Sequence, residues 1–185
     1  MLATGTYLYS QEAEIFGRAP QFIGEQLILK KISNPLTGDM IPVDTLSFNV
    51  DGSYHSVFSL DKPEWLYITT GIFRVMMFCE PDKRYEIELP PKTVKTEADI
   101  RNPFFTPVVA HIQVIHEFRM NNTEPVPEGT DLNTKIFRFD TLLNTKNSEM
   151  MERFRRQQGY DSDSMIKTIE SAYENDSSSY FKDYR

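Results

Sequence analysis

The side chains in this chain equipped for chemistry are three histidines, one cysteine and two closely spaced glutamates. Two of the histidines, His111 and His116, fall in Val-Val-Ala-His-Ile-Gln-Val-Ile-His-Glu. Along a regular strand side chains alternate, which puts His111 and Gln113 on one face and Ile112, Val114 and His116 on the other. The two imidazoles then cannot chelate one ion without a bulge, which leaves His55 with a carboxylate as the remaining metal arrangement. The preferred expectation is histidines satisfied at the surface or at strand ends, with no bound metal. Cys79 sits beside Met77, Phe78 and Glu80. Apolar and acidic neighbours raise a thiol pKa, so an inert, partly buried cysteine is expected. Glu86 and Glu88 share one side of a strand, about 6.5–7 Å apart at Cα by strand rise, a separation that suits a retaining glycosidase pair. Alternating glutamates are also what a solvated sheet face carries, and that reading is preferred.

Trp65 and Tyr67 share a face of one strand and, with Tyr54, form the candidate ligand platform for a carbohydrate. Large aromatics in strands mostly pack inward, so this face is expected to be core instead. Arg153, Arg155 and Arg156 read as a solvated helix face with i,i+4 pairs. The chain has no G-x-S-x-G, no phosphate-binding G-x-x-x-x-G-K-[ST], no H-E-x-x-H and no G-x-G-x-x-G. No catalytic, cofactor-binding or metal residue is assigned, and no cofactor is expected.

The elements that would position these groups are strands. Short β-type runs extend over Ala13–Arg18, Gln26–Ile32, Val43–Val50, Tyr54–Leu60, Trp65–Thr70, Phe73–Cys79, Arg84–Leu89 and Val108–Phe118, separated by turn residues. Such spacing is the signature of a sandwich or barrel over residues 12–120, behind a linker at 1–11, and the lack of a helical stretch between the runs disfavours a parallel α/β sheet. Asp51-Gly52 predicts a tight hairpin turn. Alternation puts Tyr85, Ile87 and Leu89 in the core, while Phe73–Cys79, apolar on both faces, is expected to be central. After a Pro/Gly-rich linker at 121–130 the period becomes helical through residue 185. Three helices are expected: one capped by Thr130, one capped by Ser148 and ended by Gly159, and one from about Ser162 with Met165, Ile169 and Tyr173 on a stripe. Tyr180, Phe181 and Tyr184 form a last aromatic face, read as a truncation point or a tail docking on the sandwich.

Charge and cysteine content exclude some functions. The chain has 185 residues and a net charge of −7. An acidic chain without a basic face does not fit nucleic-acid binding. One cysteine allows neither an internal disulfide nor a CxxC pair. No run is long and apolar enough for a membrane span. The opening Met-Leu-Ala-Thr-Gly has no basic start or apolar run, so the expectation is a cytosolic protein or a leader already removed.

Several segments, IFGRAP, DTLSFNVDGSYHSVFSL, EWLYITTG and FCEPDKRYEIELPPK, occur in an order that resembles the amino-terminal domain of unknown function in thioredoxin-like envelope lipoproteins of the Bacteroidetes. The last is similar to that family's P-G-K-x-Y-x-I-x-L-P strand, with Asp82 in place of the glycine. The later LNTKIFRFDTLLN and SSSYFKDYR resemble the helical segment that follows it. The resemblance implies an antiparallel, transthyretin-like sandwich of seven to eight strands, exported to the periplasm or outer membrane and commonly lipid-anchored. It implies no catalytic residue in the sandwich, and the WCxxC thioredoxin module of many relatives is absent here. Asp44-Thr45-Leu46, Asp140-Thr141-Leu142 and Asp163-Ser164-Met165 look like the O-glycosylation triplets of exported proteins in that group. The leading expectation is a non-catalytic envelope protein that binds or positions a protein partner or adjoining domain. The alternatives are a carbohydrate-binding module and the accessory half of a thiol-disulfide oxidoreductase.

Overall fold

The structure, a computed structural model, describes residues 11–34, 36–127, 129–159, 161–174, 176 and 178–184. Nine strands come first: β1 (Gln11–Arg18), β2 (Gln26–Asn34), β3 (Asp39–Ser47), β4 (Ser53–Leu60), β5 (Glu64–Thr70), β6 (Phe73–Cys79), β7 (Lys83–Glu88), β8 (Val108–His111) and β9 (Gln113–Arg119). Helix α1 (Glu97–Arg101) interrupts them, and α2 (Leu132–Arg155), α3 (Ser162–Ala172) and α4 (Ser179–Tyr184) follow. The chain divides into two compact units, one ending at Val126 and the other starting at Pro127. Among the described residues no helix is long and apolar enough to cross a membrane.

The first unit holds a four-stranded sheet in the order β4-β1-β7-β9 and a five-stranded sheet in the order β3-β2-β5-β6-β8. One apolar cluster draws on both, with Ala13, Ile15, Tyr54, Phe58, Tyr85 and Ile87 from the first and Leu29, Leu46, Leu66, Ile68, Val75 and Met77 from the second. The arrangement is therefore sandwich-like, and it is held by burial of period-two apolar faces. Tyr85, Ile87 and Leu89 are buried as their alternation requires.

The expected purely antiparallel pairing does not hold. β1 pairs β7 in parallel, and β6 pairs β8 in parallel, so both sheets are mixed. The run Val108–Phe118 is also two strands. It breaks at Ile112, with β8 joining the five-stranded sheet and β9 the four-stranded one, so nine strands form where seven or eight are expected. β6 is interior as expected, flanked by β5 and β8, although β5 holds the central place. Gly52 takes the positive φ expected of the Asp51-Gly52 turn (80°), but the runs it joins lie in different sheets, bridged at Phe48–Tyr54 and linked again where the Ser56 hydroxyl donates to Asp44. Helix α1 is the other departure. Thr96 and Asp99 form a capping box, with Thr96 Oγ1 accepting from the Asp99 N–H and Asp99 Oδ2 accepting from the Thr96 N–H.

In the second unit α2 is a single helix through Ser148, which therefore caps nothing. Asp131, not Thr130, is its N-cap, accepting from the Thr134 N–H at 2.7 Å. Gly159 does not end it either. Gln157 turns left-handed (φ 55°), its N–H bonding the Phe154 carbonyl while the Gln158 N–H reaches the Arg153 carbonyl. This is a Schellman closure with a non-glycine at the left-handed position. α3 starts at Ser162 with Asp161 as cap, and Met165, Ile169 and Tyr173 are half-buried. Phe181 is fully buried and meets Phe139 of α2 edge-on, and the Tyr184 hydroxyl donates to Asp140 at 3.0 Å. The last aromatic face thus has its partner in α2.

Candidate functional site

Each sheet has an outward face, and the residues singled out above are divided between those faces and the core. On the four-stranded sheet the outward rows are Val57–Glu14–Arg84–Phe118 and His55–Phe16–Glu86–His116, read across β4, β1, β7 and β9. Opposite charges meet throughout. Arg84 donates to both carboxylate oxygens of Glu14 at 2.8 and 3.3 Å, and its guanidinium lies over the Phe16 and Phe118 rings at 5.4 and 5.7 Å. His55 Nε2 is 3.2 Å from Glu14, and His116 Nδ1 is 2.9 Å from Glu86. Glu86 and Glu88 both face outward, and Glu86 has its contact with His116.

His111 and His116 are separated more thoroughly than alternation alone requires, because the break at Ile112 sends them to different sheets. Among the described residues no group of three or more His, Cys, Asp or Glu side chains assembles to hold a metal ion.

Cys79 is completely buried. Burial pushes its thiol well up, and Glu117 and Glu80 add to the effect. Tyr85 is raised well above its ordinary range by the same burial, its hydroxyl accepting from the Glu80 N–H at 2.8 Å. Glu117, buried on β9, pairs with Lys83. Burial works to lower the Lys83 pKa, but the hydrogen bond and charge of Glu117 prevail and raise it. A protonated, enclosed thiol beside carboxylates has the opposite of nucleophilic character.

On the five-stranded sheet Leu66, Ile68 and Thr70 point into the core, so Trp65 and Tyr67 point out. The expectation that Trp65 and Tyr67 belong to the core is overturned, because the strand's aliphatic residues occupy that face. Their rings lie 6.4 Å apart and 29° from parallel. Trp65 packs at a tilt of 44° against Phe78 of β6, with centroids 3.6 Å apart, and lies 5.9 Å from His111 of β8. Tyr67 stands in register with Lys30 and Met76, and Arg74 with Thr69 and Val109. Burial raises the Tyr67 pKa and the nearby Arg74 cation partly offsets it. Arg74 Nε is buried with no hydrogen-bond partner among the described residues. Tyr54, the third candidate of the platform, belongs to the core, where its hydroxyl donates to the Ile87 carbonyl at 2.7 Å.

Sequence reasoning missed Arg74. The signal was in Phe73-Arg74-Val75-Met76-Met77-Phe78, where strict alternation places Arg74 beside Met76 and Phe78 and opposite the core. The three glycosylation-like triplets lie within β3, α2 and α3. Thr141 there donates its hydroxyl to the Phe137 carbonyl at 2.8 Å. No family model, curated protein or solved structure matches this chain.

Proposed function

We propose that this chain is a non-catalytic, exported binding module of the cell envelope, akin to the domain that precedes thioredoxin modules in Bacteroidetes lipoproteins. It holds a protein partner or adjoining domain on the outer face of its five-stranded sheet. The observation that carries this reading is the outward placement of Trp65, Tyr67 and Arg74 on one face. Trp, Tyr and Arg are the side chains that dominate the energetics of protein interfaces. Asp82 supports the kinship: it takes φ 59°, the left-handed conformation that suits the glycine found there in the related pattern. A transthyretin-like sandwich is the finer description that kinship favours.

The test places a photo-crosslinking residue at Tyr67 or, on the opposite sheet, at Val57 in cells making the protein. The expected result is a discrete adduct from position 67 alone, with affinity for the identified partner falling at least about tenfold in Trp65→Ala. Equal adducts from both positions, or unchanged affinity, would overturn the proposal.

A second reading, carbohydrate binding, is favoured by the near-parallel Trp65 and Tyr67 rings. It predicts binding on a glycan panel that is abolished in Trp65→Ala, with no protein adduct from position 67.

A further inference from the structure

The second unit contains a surface that the sheet proposal does not use. All three buried residues of α2, Leu132, Ile136 and Phe139, lie at its amino-terminal end. The carboxyl-terminal turns carry large apolar side chains in the open: Phe154 is 76% exposed and Met151 49%. At about 100° per residue, Met150, Phe154 and Met151 occupy one arc of roughly 100°. Arg155 flanks that arc on one side, with Arg153 and Lys146 on the other. The acids Glu149 and Glu152 fall away from it, Glu152 pairing with Arg156 at 2.7 Å and more distantly with Arg155 at 3.9 Å, and Glu149 with Lys146 at 2.9 Å. Between Lys146 and Arg156 four cations stand against two carboxylates, a local excess of +2 in a chain of net charge −7.

We infer that the carboxyl-terminal turns of α2 dock on an anionic lipid surface, with Phe154, Met150 and Met151 entering the headgroup boundary and Arg153 and Arg155 meeting lipid phosphates. An apolar arc flanked on both sides by cations with long stems, its acids turned away, is the pattern of a helix lying in a membrane interface. Two copies of this chain meeting through the same surface bring their arginines together, and that repulsion disfavours self-association. An acidic protein groove satisfies the charges but needs a complementary pocket for Phe154, whereas a lipid boundary accepts it without one.

The test is co-sedimentation of the full chain with vesicles of phosphatidylcholine, alone or mixed with phosphatidylglycerol. Binding to the mixed vesicles only, reversed by salt, is the expected result. Arg153→Gln with Arg155→Gln weakens it about 25-fold, at roughly fivefold for each arginine near an anionic surface. Phe154→Ala weakens it while leaving helical circular dichroism unchanged, since the side chain is exposed. Absence of binding to mixed vesicles, equal binding to neutral ones, or wild-type binding by both variants overturns the inference. So does retention on an acidic-polypeptide matrix without vesicle binding, which reassigns the surface to an acidic protein. A dimer abolished by Phe154→Ala, again without vesicle binding, reassigns it to a second copy.

Discussion

The outer faces of the two sheets each present aromatic rings and an arginine, and they treat the arginine in opposite ways. On the four-stranded sheet Arg84 is enclosed between Phe16 and Phe118 and bound through two nitrogens to Glu14, which in turn faces His55. On the five-stranded sheet Arg74 shares its face with Trp65 and Tyr67, and its buried Nε has no hydrogen-bond partner among the described residues. A charged group brought partly out of water is stabilised only where its donors are met. The first face has met its own requirement, while the second leaves a buried donor unmet. The four-stranded face carries more charge and two of the three histidines, yet its charged groups pair with one another, whereas the five-stranded face presents the rings of Trp65 and Tyr67.

The comparison breaks most completely if β1 is displaced, because that strand supplies both Glu14 and Phe16. Gly17 lets β1 pass against the core. A Cβ there would sit 2.4 Å from the Ile87 carbonyl oxygen and 2.6 Å from the Tyr54 hydroxyl, closer than real contacts allow. Both obstacles belong to one hydrogen bond inside the sheet layer, so neither yields without breaking it. Gly17→Ala is expected to cost ~3 kcal/mol in urea unfolding, the upper end of overpacking penalties. A loss within the scatter of surface substitutions would mean that β1 shifts freely.

Next in size is Arg84→Ala. It removes a bidentate charge-assisted pair and two ring contacts, and it leaves Glu14, with 13% of its side chain exposed, facing His55 alone. A loss of about 2 kcal/mol is expected. Arg84→Lys should recover only part of it, since an ammonium cannot reproduce the planar fork or its stacking on two rings. Full recovery by lysine would show that charge alone matters on this face.

What was legible in the sequence follows the range of the forces involved. Period two in Tyr85-Glu86-Ile87-Glu88-Leu89 is a local signal, and it placed core and solvent correctly because each residue needs only its neighbours' polarity. The same logic applied to Val108–Phe118 failed at Ile112. There the strand changes sheets, and which sheet each half joins depends on pairing with β6 and β7, both distant in sequence. Parallel pairing of β1 with β7 is equally invisible locally. Trp65 and Tyr67 point outward because alternation with Leu66 and Ile68, the aliphatic pair that fills the core, prevails over the tendency of large rings to pack inward. The helix in Thr96–Arg101 did leave a local trace, a Thr-x-x-Asp capping pair, too short to register as a period. At Ser148 a plausible cap was overridden because α2 continues through it. The helix ends instead at Gln157, where the left-handed turn lacks the glycine that would have marked it.

The smallest effect is the one that most sharpens the contrast between the faces. Replacing Arg74 with methionine keeps an unbranched stem of similar reach between Thr69 and Val109 and deletes the nitrogen that lacks a partner. Where a buried donor is unsatisfied, its removal recovers the desolvation cost, so stability should stay within about 0.5 kcal/mol of wild type or rise slightly. The same substitution at Arg84 removes satisfied bonds and should behave like Arg84→Ala. Parallel urea titrations of Arg74→Met and Arg84→Met therefore measure the asymmetry directly. Equal losses from the two would show that the Arg74 guanidinium is as firmly engaged as Arg84's, and the contrast between the faces would vanish. A neutral Arg74→Met that also weakens the complex would instead tie the Arg74 guanidinium to recognition rather than to folding.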